Sequence, residues 1–318
     1  MKKSLILVLT LVFVLGLVAF QSPALADDGK VIIGYTIVTT QSPYAVGLVK
    51  GMEEKCAQMG WELVMLDAEL DPVKQASQMD NLIARDDIDL ILVLPCDGKA
   101  IIPSLKAAKE AGKPVIVHNS GMLPEGMDYV DAFIAPNSFR QGEIAAETLA
   151  QELNNEGVVA LISATKGYQA SDDRETGFLT KMEELAPNIK IVGPEYSDWQ
   201  RDKAQTIMQN FLTANPKIDG VYGVDDTVAV GAANAAKAAG RVSEMKIVGV
   251  GGMKDALDAI KRDEMFATIY QSPMEECEIV RQGIEGVLAG EEVDGSKLIM
   301  NMPVIDKTNV DQFQPTDV

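Results

Sequence analysis

The sequence predicts an α/β chain of two doubly wound parallel-sheet lobes joined by a multi-crossing hinge. Short Val-, Ile- and Leu-rich runs alternate with longer amphipathic stretches from residue 31 onward, and strand–helix–strand spacing of this kind closes as a parallel sheet. The alternation begins afresh in the second half of the chain, so each half builds its own sheet with helices on both faces. At 318 residues there is enough chain for two such cores, and 47% hydrophobic against 24% charged residues is globular composition rather than disorder.

Taken in order, residues 31–38 read as the first strand. A helix follows over 45–59, with Val49, Met52, Cys56 and Met59 at spacings of three and four and Gly60 as its stop. A strand at 62–66 precedes Asp71-Pro72, an N-cap with a first-turn proline. Strands at 89–94 and 114–117 flank a helix closed by Gly112 and Pro114, and 129–134 completes the first set. The second set falls at 158–162, 190–192, 220–223, 246–250 and 267–270. A last helix, 274–289, and an ending without strong periodicity predict several short returns between lobes. The expected division is residues 27–136 plus 272–298 for the N-terminal lobe and 137–271 plus 299–318 for the C-terminal lobe.

Residues 1–26 read as a cleaved secretory signal: Lys2 and Lys3, an apolar run over 5–20, then Ala24-Leu25-Ala26 as the cleavage site. The run is shorter than the roughly 20 residues a bilayer requires. No cysteine adjoins the cut to carry a lipid, so a soluble, periplasmic protein is expected. With 28 Lys+Arg against 47 Asp+Glu, the formal charge is −19. Such a surface repels phosphate backbones and anionic membranes, which argues against nucleic-acid binding. One His and three Cys supply neither a zinc ligand set nor a disulfide framework, so no metal and no cofactor are expected.

Open parallel sheets bind ligands beyond the carboxyl ends of their strands. The residues there are Gln41, Ser42 and Tyr44, Asp67, Cys96 and Asp97, then His118, Asn119 and Ser120. The second half adds Arg174, Asp198, Trp199, Arg201, Asp225, Asp226, Gly251 and Gln271. Two aromatics with guanidiniums, amides and carboxylates suit a small polyhydroxylated ring, whose C–H faces stack on aromatics while its hydroxyls take directed hydrogen bonds. Plainer roles compete with these. Trp199 could plug a core, Arg174 and Arg201 could form surface ion pairs, Asp226 could N-cap the helix after it, and Gly251-Gly252 could be a positive-φ loop. Cys56 and Cys277 fall on apolar helix faces. Cys96 and His118 follow successive strands, which permits a Cys–His nucleophile, but no third orienting group accompanies them, and a binder rather than an enzyme is expected.

The chain resembles the type I periplasmic solute-binding proteins of ABC sugar importers, especially the ribose, allose and galactose group. The likeness covers nearly all of the chain beyond the leader and rests on several stretches taken in order. These are Ser42-Pro43-Tyr44 with Gly51, Gly112-Lys113-Pro114-Val115-Ile116, Arg174 with Gly177-Phe178, Asp198-Trp199-Gln200-Arg201, Tyr222-Gly223-Val224-Asp225-Asp226, Ile247-Val248-Gly249, and Ala267 to Pro273. By that resemblance Tyr44 and Trp199 sandwich the ligand, Arg174, Arg201 and Gln271 bond its oxygens, and Asp225 stands where the family usually has Asn. Three departures follow. The family's Asp-Arg pair after the Pro-Val-Ile strand is Asn119-Ser120, its second aromatic after the proline is Ala45, and its Asp after Gly249-Val250 is Gly251. The space so left implies a ligand other than plain ribose: a larger sugar, a polyol, or a furanose-like signal. The implied role is capture by hinge closure, as a monomer, for an ABC permease in the inner membrane. A chemoreceptor or sensor kinase is the alternative partner. A sugar-responsive repressor shares the core, but no basic helix-turn-helix precedes residue 31.

Overall fold

The computed structural model describes residues 29–317. The leader expected over residues 1–26 lies outside the described residues. From Val31 the chain forms two sheets with helices on both faces of each.

In the N-terminal lobe, β1 (Ile32–Ile37), β2 (Glu62–Asp67), β3 (Leu90–Val93), β4 (Val115–His118) and β5 (Ala132–Ile134) pair in the order β2-β1-β3-β4-β5, all parallel. The central strands β3 and β4 are buried throughout, as strands covered on both faces must be. One face is covered by α1 (Pro43–Met59) and α9 (Pro273–Leu288), which bring Leu48, Met52, Cys277, Val280 and Ile284 into one core. The other carries α2 (Pro72–Ile83) and α3 (Ile102–Glu110), with Met79, Leu82, Leu105 and Ala108. The predicted stops hold: Gly60 ends α1 at φ 71, and Asp71 caps α2 by accepting from the Val73 and Lys74 amides. The buried stripe of α1 is rotated from the expected one. It runs through Ala45, Leu48, Met52 and Cys56, and Met59 is exposed, because α9 packs on the small residues Gly47 and Gly51. The expected strand at 129–134 is shorter because Pro124–Tyr129 winds into a 3-10 turn.

The C-terminal lobe contains β6 (Gly157–Ser163), β7 (Ile189–Tyr196), β8 (Gly220–Gly223), β9 (Lys246–Gly251), β10 (Ala267–Tyr270) and β11 (Val304–Asp306), ordered β11-β10-β9-β8-β6-β7. Here the expectation of a wholly parallel sheet needs amendment, since β11 joins the edge antiparallel to β10. A strand of three residues shows too little periodicity to be read in advance. On one face lie α6 (Arg201–Ala214), α7 (Asp226–Ala238) and α8 (Lys254–Lys261), and on the other α4 (Ser138–Glu152) and α5 (Gln169–Leu185).

The chain passes between the lobes from β5 to α4, from β10 to α9, and again after α9. At this last passage Met300 belongs to an N-terminal core, whereas Met302 and Val304 pack against a C-terminal one. The carboxyl ends of the two sheets approach each other: Gly121 is backed so closely by the Gln169 side chain that a β-carbon there would sit 2.6 Å from Gln169 Cγ. Among the described residues, no helix is long and apolar enough to cross a membrane.

Candidate functional site

The N-terminal edge is organised by a side chain that sequence reasoning missed. Glu276, in the first turn of α9, is 2% exposed. Its Oε2 accepts from the Tyr44 hydroxyl at 2.6 Å and the Asn119 amide at 2.9 Å, while Oε1 lies 2.9 Å from His118 Nδ1. His118 Nε2 continues to the Tyr35 hydroxyl at 2.8 Å. Every buried polar atom in this run therefore has a partner, as a low-dielectric interior requires. Burial, then the nearby carboxylate, pushes the Tyr44 phenol well above its ordinary value, so the phenol stays a donor. Glu276 sits one turn before Val280 on the buried stripe of α9, and an acid in an apolar stripe is the signal that could have found it. Asn119 adopts φ 63, a conformation Asn tolerates better than most residues, and this turns its amide toward α9.

The C-terminal edge is organised by Arg174, 7% exposed. Its Nε donates to Gln141 Oε1 at 2.8 Å, Nη1 to the Val224 carbonyl at 3.1 Å, and Nη2 to Gln271 Oε1 at 2.7 Å. Gln141 Nε2 donates to the same Gln271 oxygen at 2.8 Å. Gln271 also reaches the Tyr44 hydroxyl. Gln271 thus brings the Arg174 network beside Tyr44, which Glu276 ties to His118. Gln141, a polar residue within the buried stripe of α4, went unnoticed in the sequence for the same reason as Glu276.

Trp199 stands just before α6 at φ 60, half-buried, with its ring edge-on to Tyr168 at 5.7 Å between centroids. Tyr168 lies beyond the carboxyl end of β6, immediately before α5, a position that sequence reasoning missed. The N-cap expected of Asp226 falls to Asp225. Asp225 caps α7 through the Val228 amide, whereas Asp226, fully buried, turns away to accept from the Gly252 and Met253 amides at 2.6 and 2.8 Å and from Thr268 Oγ1 at 2.6 Å. Burial pushes Asp225 up to about 6 and Asp226 up to about 7. Gly251 has φ 147 and Gly252 φ 87, so the positive-φ loop is present. A β-carbon at Gly251 would sit 2.9 Å from Asp226 Oδ2, so a side chain there would crowd that carboxylate.

Other expected residues stay at the rim. Gln41 and Ser42 are exposed, and Ser42 caps α1. Asp97 spends its carboxylate on the Lys99 and Ala100 amides. Arg201 forms an exposed ion pair with Asp255 at 2.6 Å, its charge still reaching Asp225. Cys96 does not pair with His118; its thiol faces the Val38 carbonyl, and burial followed by nearby aspartates pushes it up to about 12, far from a nucleophilic thiolate. Among the described residues there is no group of side chains placed to hold a metal ion.

The family model described as a periplasmic binding protein domain matches residues 33–290. The chain belongs to that family. It is a family of binding proteins rather than enzymes, and its fold is the one seen here. A ribose import binding protein of Bacillus subtilis (strain 168) is 29% identical over 92% of this chain and 95% of its own length. A xylitol-binding protein of Mycolicibacterium smegmatis is 29% identical over 88% of this chain and 78% of its own. The structure of an ABC transporter solute-binding protein from Bacillus halodurans with bound myo-inositol superposes with a TM-score of 0.82 at 26% identity, covering 90% of this chain and 98% of that one.

Proposed function

We propose that this protein is the extracytoplasmic solute-binding component of an ABC importer and captures a small polyhydroxylated ligand between its lobes. The observation that carries this is the convergence of polar and aromatic side chains from both sheet edges: Tyr44 and Asn119 on one side, Arg174, Trp199, Asp225 and Gln271 on the other. Aromatic rings cover C–H faces, and fixed amides and charges select hydroxyl directions. The relatives named for ribose and xylitol, and the neighbour holding myo-inositol, support a sugar or polyol.

Binding works by closure. A ligand that touches both lobes has higher affinity for the closed arrangement and shifts the population toward it, with rotation at the three crossings between lobes. The closed monomer then docks on the importer permease outside the cytoplasmic membrane, where the residue 1–26 leader delivers it. A thermal-shift screen of the leaderless chain against pentoses, hexoses, sugar alcohols, nucleosides and furanose sugars tests the ligand. At about 1,000 times its Kd, a ligand adds roughly 4 kcal/mol, read as several degrees of midpoint. A hit is expected to change Trp fluorescence in the native chain and not in Trp199→Ala. No response to any carbohydrate or polyol would remove the ligand class. Uptake lost in a strain lacking the permease supports the importer, whereas a ligand response that survives there assigns a receptor partner.

A further inference from the structure

Glu276 is a buried carboxylate that belongs to no expected contact set, yet it holds three groups at the N-terminal edge of the cleft. Among the described residues, its only ion-pair geometry is with His118, the single histidine of the chain. The cations on the same helix turn elsewhere: Arg281 pairs with Glu278 and Glu285, and Lys55 of α1 with Glu278. The strand end after β4 carries the neutral pair Asn119-Ser120, and the carboxylate at this edge comes from α9 behind it.

This arrangement changes what the edge offers. The Tyr44 hydroxyl gives its hydrogen to Glu276, leaving its oxygen and ring face for a ligand. Asn119 spends one amide hydrogen on Glu276, and its side-chain oxygen takes no part in that bond. Two donor hydrogens of this edge are thus spent on Glu276, which biases what remains toward acceptors. Opposite, Arg174 is engaged by Gln141, Val224 and Gln271 and lies beside the Asp225 carboxylate, so its charge is already matched.

We infer that Glu276 is a specificity-determining positioning residue: by holding Tyr44 and Asn119 as an acceptor-biased edge backed by a carboxylate, it selects ligands that present hydroxyl or ammonium donors and rejects those bearing a carboxylate or phosphate. This rests on the reading that the cleft binds a polyhydroxylated solute. It goes beyond that reading in excluding sugar acids and sugar phosphates and in admitting amino sugars.

Titration calorimetry on the leaderless chain tests it with matched compounds: glucose, glucosamine and glucuronate; ribose and ribose 5-phosphate; xylitol and xylonate. The native chain is expected to bind at least one neutral parent, and its anionic counterpart about tenfold or more weakly, since like charges brought together are disfavoured. Glu276→Gln keeps an acceptor for Tyr44 and Asn119 and offers an N–H to His118, while losing the charge. In it the neutral parent is expected to weaken and the neutral-to-acid ratio to shrink to about threefold or less. A simple loss of stability would weaken both compounds alike and leave that ratio unmoved. An acid bound by the native chain as tightly as its parent overturns the inference whether or not the variant folds, as does a ratio unchanged in a folded Glu276→Gln. If no compound binds the native chain, the ligand reading falls and this inference with it; if parents bind and the ratio stays put, only this inference falls.

Discussion

In the N-terminal lobe the buried charge at the binding edge is a carboxylate, Glu276, held by a phenol, an amide and an imidazole. In the C-terminal lobe it is a guanidinium, Arg174, held by two glutamine oxygens and a backbone carbonyl. Both networks draw a member from one short segment, since Gln271 and Glu276 flank the passage from β10 to α9. A planar guanidinium with five donors is satisfied by neutral acceptors, while a carboxylate needs donors from several directions. The helix pairs beneath them differ likewise. In α4 and α5 the glycines Gly142 and Gly177 let backbone meet backbone, so a β-carbon on either would collide with the Arg174 or Phe139 carbonyl. In α1 and α9 the small residue faces a side chain instead, as where a β-carbon on Gly51 would lie 2.7 Å from Cys277 Sγ. Side chains yield and backbone does not.

The contrast breaks hardest at Arg174. Arg174→Ala leaves the Gln141, Gln271 and Val224 oxygens without their cation and Asp225 without its neighbour, and is expected to cost about 4 kcal/mol in urea unfolding and to abolish binding. Gly142→Ala follows at about 3 kcal/mol, against about 1 kcal/mol for Gly51→Ala, because only the second contact relaxes by side-chain movement. Equal losses in the two variants would erase the distinction between the helix pairs.

The acidic pair of the C-terminal lobe sharpens the comparison through pH. Burial raises Asp225 and Asp226 above their unfolded values, so the folded state holds more protons than the unfolded state between about pH 4 and 7. Stability from these groups is therefore greatest at low pH and is lost as pH rises through 6 and 7. Lowering the pH from 7.5 to 5.5 is expected to stabilise the protein by about 2 kcal/mol. Glu278, which Arg281 holds down at about 2, does not interfere, because its contribution is lost only as pH falls below the ordinary carboxylate range. Asp226→Asn, whose carbonyl can take the Gly252 and Met253 amides while its N–H meets Thr268, is expected to fold and to flatten this slope. An unchanged slope would place the buried protons elsewhere.

The smallest expected change in stability is at Trp199. At φ 60 a bulky residue carries backbone strain of order 1 kcal/mol. Trp199→Gly releases that strain while losing the contact with Tyr168, so unfolding should shift by less than about 1 kcal/mol while ligand-linked fluorescence disappears. A large stability loss would make Trp199 a core residue instead.

The alternation of strands and helices, the Gly60 stop, the Asp71-Pro72 start and the burial of Cys277 were all legible in the sequence, because each follows from contacts within a few residues or from a face period. Loop residues at strand ends could be named as candidates, but not ranked. Whether Asp225 or Asp226 caps α7 depends on the amides that β9 and its loop bring alongside. That Asp226, arriving from the neighbouring strand end, lies against Gly251 is likewise a tertiary fact. The antiparallel β11 was hidden by its shortness.

By itself, then, the sequence determined two α/β lobes, the ends of α1 and α9, the start of α2 and an acidic composition, because hydrophobic period, caps and composition are local or additive properties. Only the tertiary structure decided that Glu276 and Arg174 anchor the two edges, that Gln271 and Tyr44 link them across the crossing, and that Arg201 faces Asp255. These depend on which distant donors and acceptors are brought within about 3 Å of a buried charge, and no spacing along the chain encodes that distance.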